Sequence, residues 1–274
     1  MSLKERFLLF IKGLFMGLAD IVPGVSGGTM ALITGIYERF IEAIESINPL
    51  DEKKIDLEFL IPVGLGVFMA FFVASYGITF LLQNYESSVY AFFFGLIFSS
   101  SFVLYKNKAE VNWRGLVLAA AGVLISYAVA SLEYFQFGHT SPIIFATGFL
   151  AICAMMLPGI SGSLVVLMLG QYEYMLGSLK NLVVEDIGLF VLGGVFSLLG
   201  FSRVINYFLK NHKEDTLSFM IGLMLGALAV PVERIVPGPA PLSNLKIVLS
   251  GFLGLFIVLY MYVNLGEGIV SVNN

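Results

Sequence analysis

From Phe7 to Val263 the chain is a succession of long apolar segments joined by short polar links. They fall at about 7–22, 26–46, 59–82, 89–105, 114–132, 142–157, 161–182, 187–209, 216–232 and 245–263. About 20 apolar residues carry a helix across the hydrocarbon core. Segments 59–82, 114–132, 187–209 and 245–263 reach that length; 89–105 and 216–232 are marginal but uninterrupted, and 7–22 and 142–157 are short. Only 12% of the residues are charged, about half the roughly 25% of soluble domains. The solvent of most of this chain is lipid, where backbone groups must bond within their own segment. The expected class is an all-α polytopic membrane protein.

The two short segments end at Pro23-Gly24 and Pro158-Gly159, and these breaks expose a duplication. Pro23-Gly-Val-Ser-Gly-Gly-Thr-Met-Ala-Leu-Ile-Thr-Gly-Ile-Tyr-Glu38 aligns with Pro158-Gly-Ile-Ser-Gly-Ser-Leu-Val-Val-Leu-Met-Leu-Gly-Gln-Tyr-Glu173, identical at eight of sixteen positions. Further on, Asn84, Phe92 and Gly95-Leu96 match Asn211, Phe219 and Gly222-Leu223, while Asn112 and Gly122 match Asn244 and Gly254. The chain reads as two related halves, 1–135 and 136–274, within one integral membrane domain.

Each half opens with a hairpin, re-entrant or made of broken helices, and continues with three transmembrane helices. A hairpin returns the chain to its starting face and three crossings follow, so the second half enters from the other side. Two inverted repeats result, an architecture of many secondary transporters. Re-entrant hairpins are favoured over ten full spans. Pro-Gly-x-Ser-Gly suits a tight turn, since Gly reaches positive φ and Pro lacks a donor. At membrane depth such backbone belongs inside protein or beside a water-filled cavity.

The positive-inside rule sets the orientation. With the N-terminus inside, Lys4, Arg6, Lys53, Lys54, Lys106, Lys108, Arg114, Lys210 and Lys213 are cytoplasmic, and Lys180, Arg234 and Lys246 are outside. Both termini are expected in the cytoplasm. The segment behind Lys4 and Arg6 imitates a secretory signal, but no small-x-small cleavage site follows it and it reads as retained. One cysteine, Cys153, and two histidines, His139 and His212, leave no metal centre and no cofactor to expect. A net charge of −4 spread over loops argues against a nucleic-acid partner.

Two glycine-rich turns, Ser26-Gly27-Gly28-Thr29 and Ser161-Gly162-Ser163, each open a segment. Such a turn presents N–H groups and hydroxyls at the positive end of a helix dipole, suited to a phosphate or carboxylate. In inverted halves the two turns are expected to meet near the bilayer centre. The plainer reading, glycines that only let helices pack closely, leaves the paired serines and prolines unexplained. Ionised residues inside apolar segments are costly and usually functional. Asp20 and Arg203 are the clearest; their counterparts are Met155 and Tyr76. Arg203 and Arg39 are candidate counter-charges for a bound anion. Asp20, Glu38 and Glu173 are candidates for ion coupling or for structural helix ends.

The stretches Gly17-Leu-Ala-Asp20-Ile-Val-Pro-Gly-Val-Ser-Gly-Gly-Thr29, Gly35-Ile-Tyr-Glu-Arg-Phe-Ile41 and Met156-Leu-Pro-Gly-Ile-Ser-Gly-Ser163 resemble the bacterial PopT-type membrane family. The resemblance runs end to end. It implies a multi-pass protein of the bacterial inner membrane that returns undecaprenyl phosphate from the outer to the cytoplasmic leaflet for wall-polymer synthesis. The implied partner is a polyprenyl-phosphate lipid. Gly24-Val-Ser-Gly-Gly28 formally matches a serine nucleophile elbow, but no histidine recurs between the halves to serve as its base. No catalytic residue is expected, and the chain does not read as an enzyme. The competing reading is a small-anion transporter or channel of inverted-repeat architecture.

Overall fold

The computed structural model describes residues 1–22, 25–47, 55–70, 75–107, 112–131, 135, 137–235 and 241–265. Pro23, Gly24, Lys53, Lys54, Lys108 and the side chain of Tyr76 lie outside the described set. Regular structure among the described residues is entirely helical.

The chain opens with α1 (Leu3–Ile21), α2 (Gly27–Ile33) and α3 (Tyr37–Glu45), then α4 (Leu57–Met69), α5 (Ser75–Asn107) and α6 (Trp113–Ser131). A second series follows: α7 (Ser141–Met156), α8 (Gly162–Met168), α9 (Tyr172–Lys180), α10 (Val184–Asn211), α11 (Lys213–Ala227), α12 (Ala229–Arg234) and α13 (Pro241–Leu265). The order of a long helix, a seven-residue helix and a nine-residue helix occurs in both series. Among the described residues four stretches are long and apolar enough to cross a membrane, Phe80–Lys106, Trp113–Ser131, Val184–Asn211 and Lys213–Arg234. Leu57–Met69, Ser141–Met156 and Asn244–Tyr260 are shorter apolar helices. Large apolar side chains such as Phe68, Leu124, Phe196 and Phe252 stand exposed on their outer faces, as lipid contact requires.

Three local features depart from a simple reading of the apolar segments. Segments 26–46 and 161–182 are not single helices. Each breaks after seven helical residues at a glycine with left-handed φ, Gly35 at 70° and Gly170 at 68°, a conformation a side chain disfavours. A seven-residue helix rises only about 10 Å, well short of the hydrocarbon core. Segment 59–82 is divided between α4 and the start of α5. Finally, α5 bends at Tyr85 (φ −141°, ψ 36°), and His212 at the matched position between α10 and α11 has nearly the same backbone (φ −139°, ψ 46°). One residue earlier, Asn84 and Asn211 donate to the carbonyls of Phe80 and Tyr207, both at 2.8 Å.

Helices pair through glycines. A Cβ built on Gly13 of α1 would overlap the Val63 carbonyl of α4, and one on Gly66 would overlap the Phe10 carbonyl. Gly148 and Gly193 stand in the same relation between α7 and α10. Gly95 of α5 packs against the Gly251 carbonyl on α13, and Gly122 of α6 against Gly222 on α11. Small residues let helix backbones approach where lipid offers no hydrophobic drive. The main core surrounds α2, all seven residues of which are buried among Met16, Ala19, Tyr37, Ile41, Met156 and their neighbours.

Candidate functional site

The first glycine-rich turn opens α2 with Ser26 as N-cap, its Oγ accepting from the Gly28 amide at 3.2 Å. The Gly27, Gly28 and Thr29 amides of this turn are all engaged. The Gly27 amide donates to Asp20 Oδ1 at 2.7 Å. A buried amide must find an acceptor, and α1 supplies one by folding back along α2. A Cβ on Gly27 would meet the same carboxylate, so glycine is what lets Asp20 reach the backbone.

The other end of α2 is held from α1 as well. Lys12 Nζ donates to the carbonyl of Thr34, the C-cap of α2, at 2.7 Å. A carboxylate therefore sits at the positive pole of this short helix and an ammonium at its negative pole, each where the dipole favours it. Sequence reasoning singled out Asp20 and missed Lys12. The signal was present, a lone lysine among apolar residues, and the same rule that selected Asp20 applies to it.

The second turn is built differently. Ser161 caps α8 without a side-chain hydrogen bond to the helix backbone, its Oγ instead lying 2.9 Å from Ser163 Oγ. Met155 occupies the place of Asp20, packed so that a Cβ on Gly162 would strike it. At the far end of α8 the carbonyl of Leu169, matched to Thr34, accepts from the amide of fully buried Gln171 at 3.2 Å. One neutral side chain does here what Lys12 does in the first series.

The two turns are neighbours. Ser26 Oγ donates to the Leu157 carbonyl at 3.3 Å, and the Gly159 amide donates to Thr29 Oγ1 at 2.9 Å. Gly28 has no room for a Cβ beside the Met155 carbonyl. Buried Tyr37, the first residue of α3, donates to the Met156 carbonyl at 2.7 Å, and Ser126 of α6 donates to the Gly159 carbonyl at 3.3 Å. The start of α2 is thus seated against the residues that end α7 and enter the second turn. Gly159, at φ 88° and tight against Leu223, has a backbone and a setting that exclude a side chain.

Two of the remaining sequence candidates are engaged in ion pairs. Arg39 pairs with Asp56 Oδ2 at 2.9 Å and stacks over Phe59. Glu38 pairs with Lys213 at 2.9 Å. Glu173 is exposed on α9. Arg203 is half-buried on α10, beside buried Ser202. Among the described residues no cluster of His, Cys, Asp and Glu could hold a metal.

Residues 16–236 match the model of the undecaprenyl phosphate translocase-like family. A polyprenyl-phosphate transporter of Vibrio cholerae is 37% identical over 231 residues, covering 80% of this chain and 75% of its own. A polyprenyl-phosphate transporter of Staphylococcus aureus is 35% identical over 243 residues, covering 81% of this chain and 85% of its own. No solved structure matches. On that match, which spans both turns and the helices that seat them, the chain belongs to the undecaprenyl phosphate translocase-like family.

Proposed function

We propose that this protein carries a polyprenyl phosphate from the outer to the cytoplasmic leaflet of the bacterial inner membrane, returning a lipid carrier for envelope-polymer synthesis. On this reading residues 1–135 and 136–274 are inverted halves. Each is a re-entrant hairpin, α1–α3 or α7–α9, followed by three transmembrane helices, and both termini are cytoplasmic. The pairing of Gly95 with α13 and of its match Gly222 with α6 supports a two-fold relation between the halves. The shortness of α2 and α8 supports the re-entrant hairpins.

The observation that carries the proposal is the seating of Ser26, Gly28 and Thr29 against Met155, Leu157 and Gly159. A polyprenyl phosphate has one anionic head and a long apolar tail. Its head needs hydroxyls, amides and positive charge in a polar notch, while its tail stays in lipid. The junction of the turns brings together Ser26, Gly27, Gly28 and Thr29 on one side, with Ser161, Gly162 and Ser163 following directly on the other. Arg203 is the proposed counter-charge. Asp20 holds the Gly27 amide while the head is absent and yields it on binding. Arg39 and Glu38, engaged in ion pairs, are given no contact with the lipid. The relatives named as polyprenyl-phosphate transporters support the substrate class.

The test is binding of a polyprenyl phosphate and of the matching polyprenol to purified protein. The phosphate should bind at least about tenfold tighter than the alcohol, because hydrogen bonds to a charged group contribute about 1.5–3 kcal/mol. Ser26→Ala with Ser161→Ala should remove most of that difference and leave the protein folded. Equal binding of phosphate and alcohol to the unaltered protein would leave no head site. An unchanged double variant would return both serines to a packing role.

A further inference from the structure

Helix α3 carries Glu38, Glu42 and Glu45 at helical spacing, on one face. That face meets the end of α10 and the start of α11. Glu38 is 2.9 Å from Lys213 and Glu42 is 3.0 Å from Lys210, while the Asn206 amide donates to Glu45. All three contacts tie the first half to the second. The same helix begins with Tyr37, bonded to Met156 beside the junction of the turns. Movement of α3 is therefore felt at the proposed head site.

Among the described residues no ion pair closes the matched helix in the same way. Helix α9, the match of α3, packs on α8 and α10 of its own half, and its Tyr174 and Ser178 hydroxyls both donate to Asp186 at 2.8 Å. The aligned halves give the chemical reason. Glu38 corresponds to Glu173 and Lys213 to Glu86; Glu42 corresponds to Gly177 and Lys210 to Gln83. Closing α9 as α3 is closed would set acid against acid at the first position and leave no ion pair at the second. Glu86 is instead 3.4 Å from Arg234.

We propose that α3 is the cytoplasmic gate of the transporter, latched in this structure by Glu38–Lys213, Glu42–Lys210 and Glu45–Asn206, so that the molecule at rest is closed toward the cytoplasm and loads from the opposite face. This rests on the inverted, lipid-carrying reading above. Both ion pairs are partly exposed, with Lys210 and Glu42 each about half accessible. Such pairs hold weakly one by one and are screened by salt, which suits a latch that opens in every cycle better than a permanent strut.

The experiment uses the full chain with Cys153→Ser and a reporter, Ser202→Cys. Ser202 is fully buried on α10, one turn from Asn206 on the latched face. A membrane-impermeant maleimide is added to inside-out vesicles. Labelling should be slow with the latch intact and about tenfold faster after Glu38→Gln with Glu42→Gln. Glu38→Lys combined with Lys213→Glu should restore protection, which separates an opened latch from a damaged fold. Equal labelling rates with and without the two neutralisations would overturn the gate.

Exposed Asn84→Cys and Asn211→Cys, labelled in parallel, report on the reading beneath it. Labelling from opposite faces supports inverted halves, with Asn211 cytoplasmic. Labelling from one face sinks that reading, and with it a gate between inverted halves, whatever Ser202→Cys reports. If polyprenyl phosphate does not bind but Ser202→Cys responds as described, the substrate fails and the gate survives.

Discussion

Asp20 is the residue whose position most changes the chemistry of the site. Its carboxylate lies 2.7 Å from the Gly27 amide, so the anion expected at the first turn is in part already supplied by the protein. A phosphate head must compete with it. Protonation removes the competing charge, so head-group binding should strengthen as pH falls. Asp20→Asn keeps an oxygen to accept from Gly27 and loses the charge. The variant should fold, bind polyprenyl phosphate at least as tightly as the parent, and show a shallower pH profile in the same binding assay, the phosphate's own second ionisation at about 6 remaining. An equally steep profile in Asp20→Asn would place the titrating group elsewhere. Asp20 was legible because a carboxylate inside an apolar segment stands out by residue type. Its partner was not, since the Gly27 amide becomes the nearest donor only once α1 and α2 lie antiparallel. Gln171 was invisible for a related reason: it replaces Ile36 in the alignment, and its use appears only when the end of α8 needs a donor.

At the scale of helices, stability rests on backbone approach at glycines. Gly193 and Gly188 lie on one helix, α10, and differ in surroundings. A Cβ on Gly193 would overlap the Phe145 carbonyl and come within 2.9 Å of the Phe149 nitrogen, whereas Gly188 has nothing within 4 Å. Gly193→Leu should cost about 1–3 kcal/mol or more by forcing α7 and α10 apart, and Gly188→Leu should fall within about 0.5 kcal/mol of neutral. Thermal unfolding in one detergent checks both; equal midpoints would remove the close crossing from the account. The first break of each hairpin was readable because Pro-Gly punctuates strongly. The second, at Gly35 and Gly170, was not, because a single glycine in an apolar run looks the same whether it turns the chain or packs a helix. The bend at Tyr85 and His212 carries no proline or glycine at all. The matches Gly95 with Gly222 and Gly122 with Gly254 were visible in the sequence. That Gly95 seats against the Gly251 carbonyl, and Gly122 against Gly222, is a fact of packing between distant segments.

For the whole molecule, the sequence showed a membrane protein with a duplicated glycine-rich signature, and the structure brings the two signatures side by side. Charges were harder to read. Arg39 read as a counter-charge for an anion and Glu38 as a coupling or structural residue, yet Arg39 turns to Asp56 and Glu38 to Lys213. Adjacent residues on a helix point in different directions, and which partner each meets depends on chain that is remote in sequence. The central claim is movement of a lipid phosphate, and a leaflet-resolved assay tests it most directly. Purified protein is reconstituted into liposomes with a polyprenyl phosphate, and the head groups exposed on one leaflet are followed over time against protein-free liposomes. The account predicts protein-dependent redistribution of polyprenyl phosphate, suppressed by Ser26→Ala with Ser161→Ala. Unchanged lipid distribution with active protein, alongside protein-dependent flux of a small inorganic anion, would contradict it.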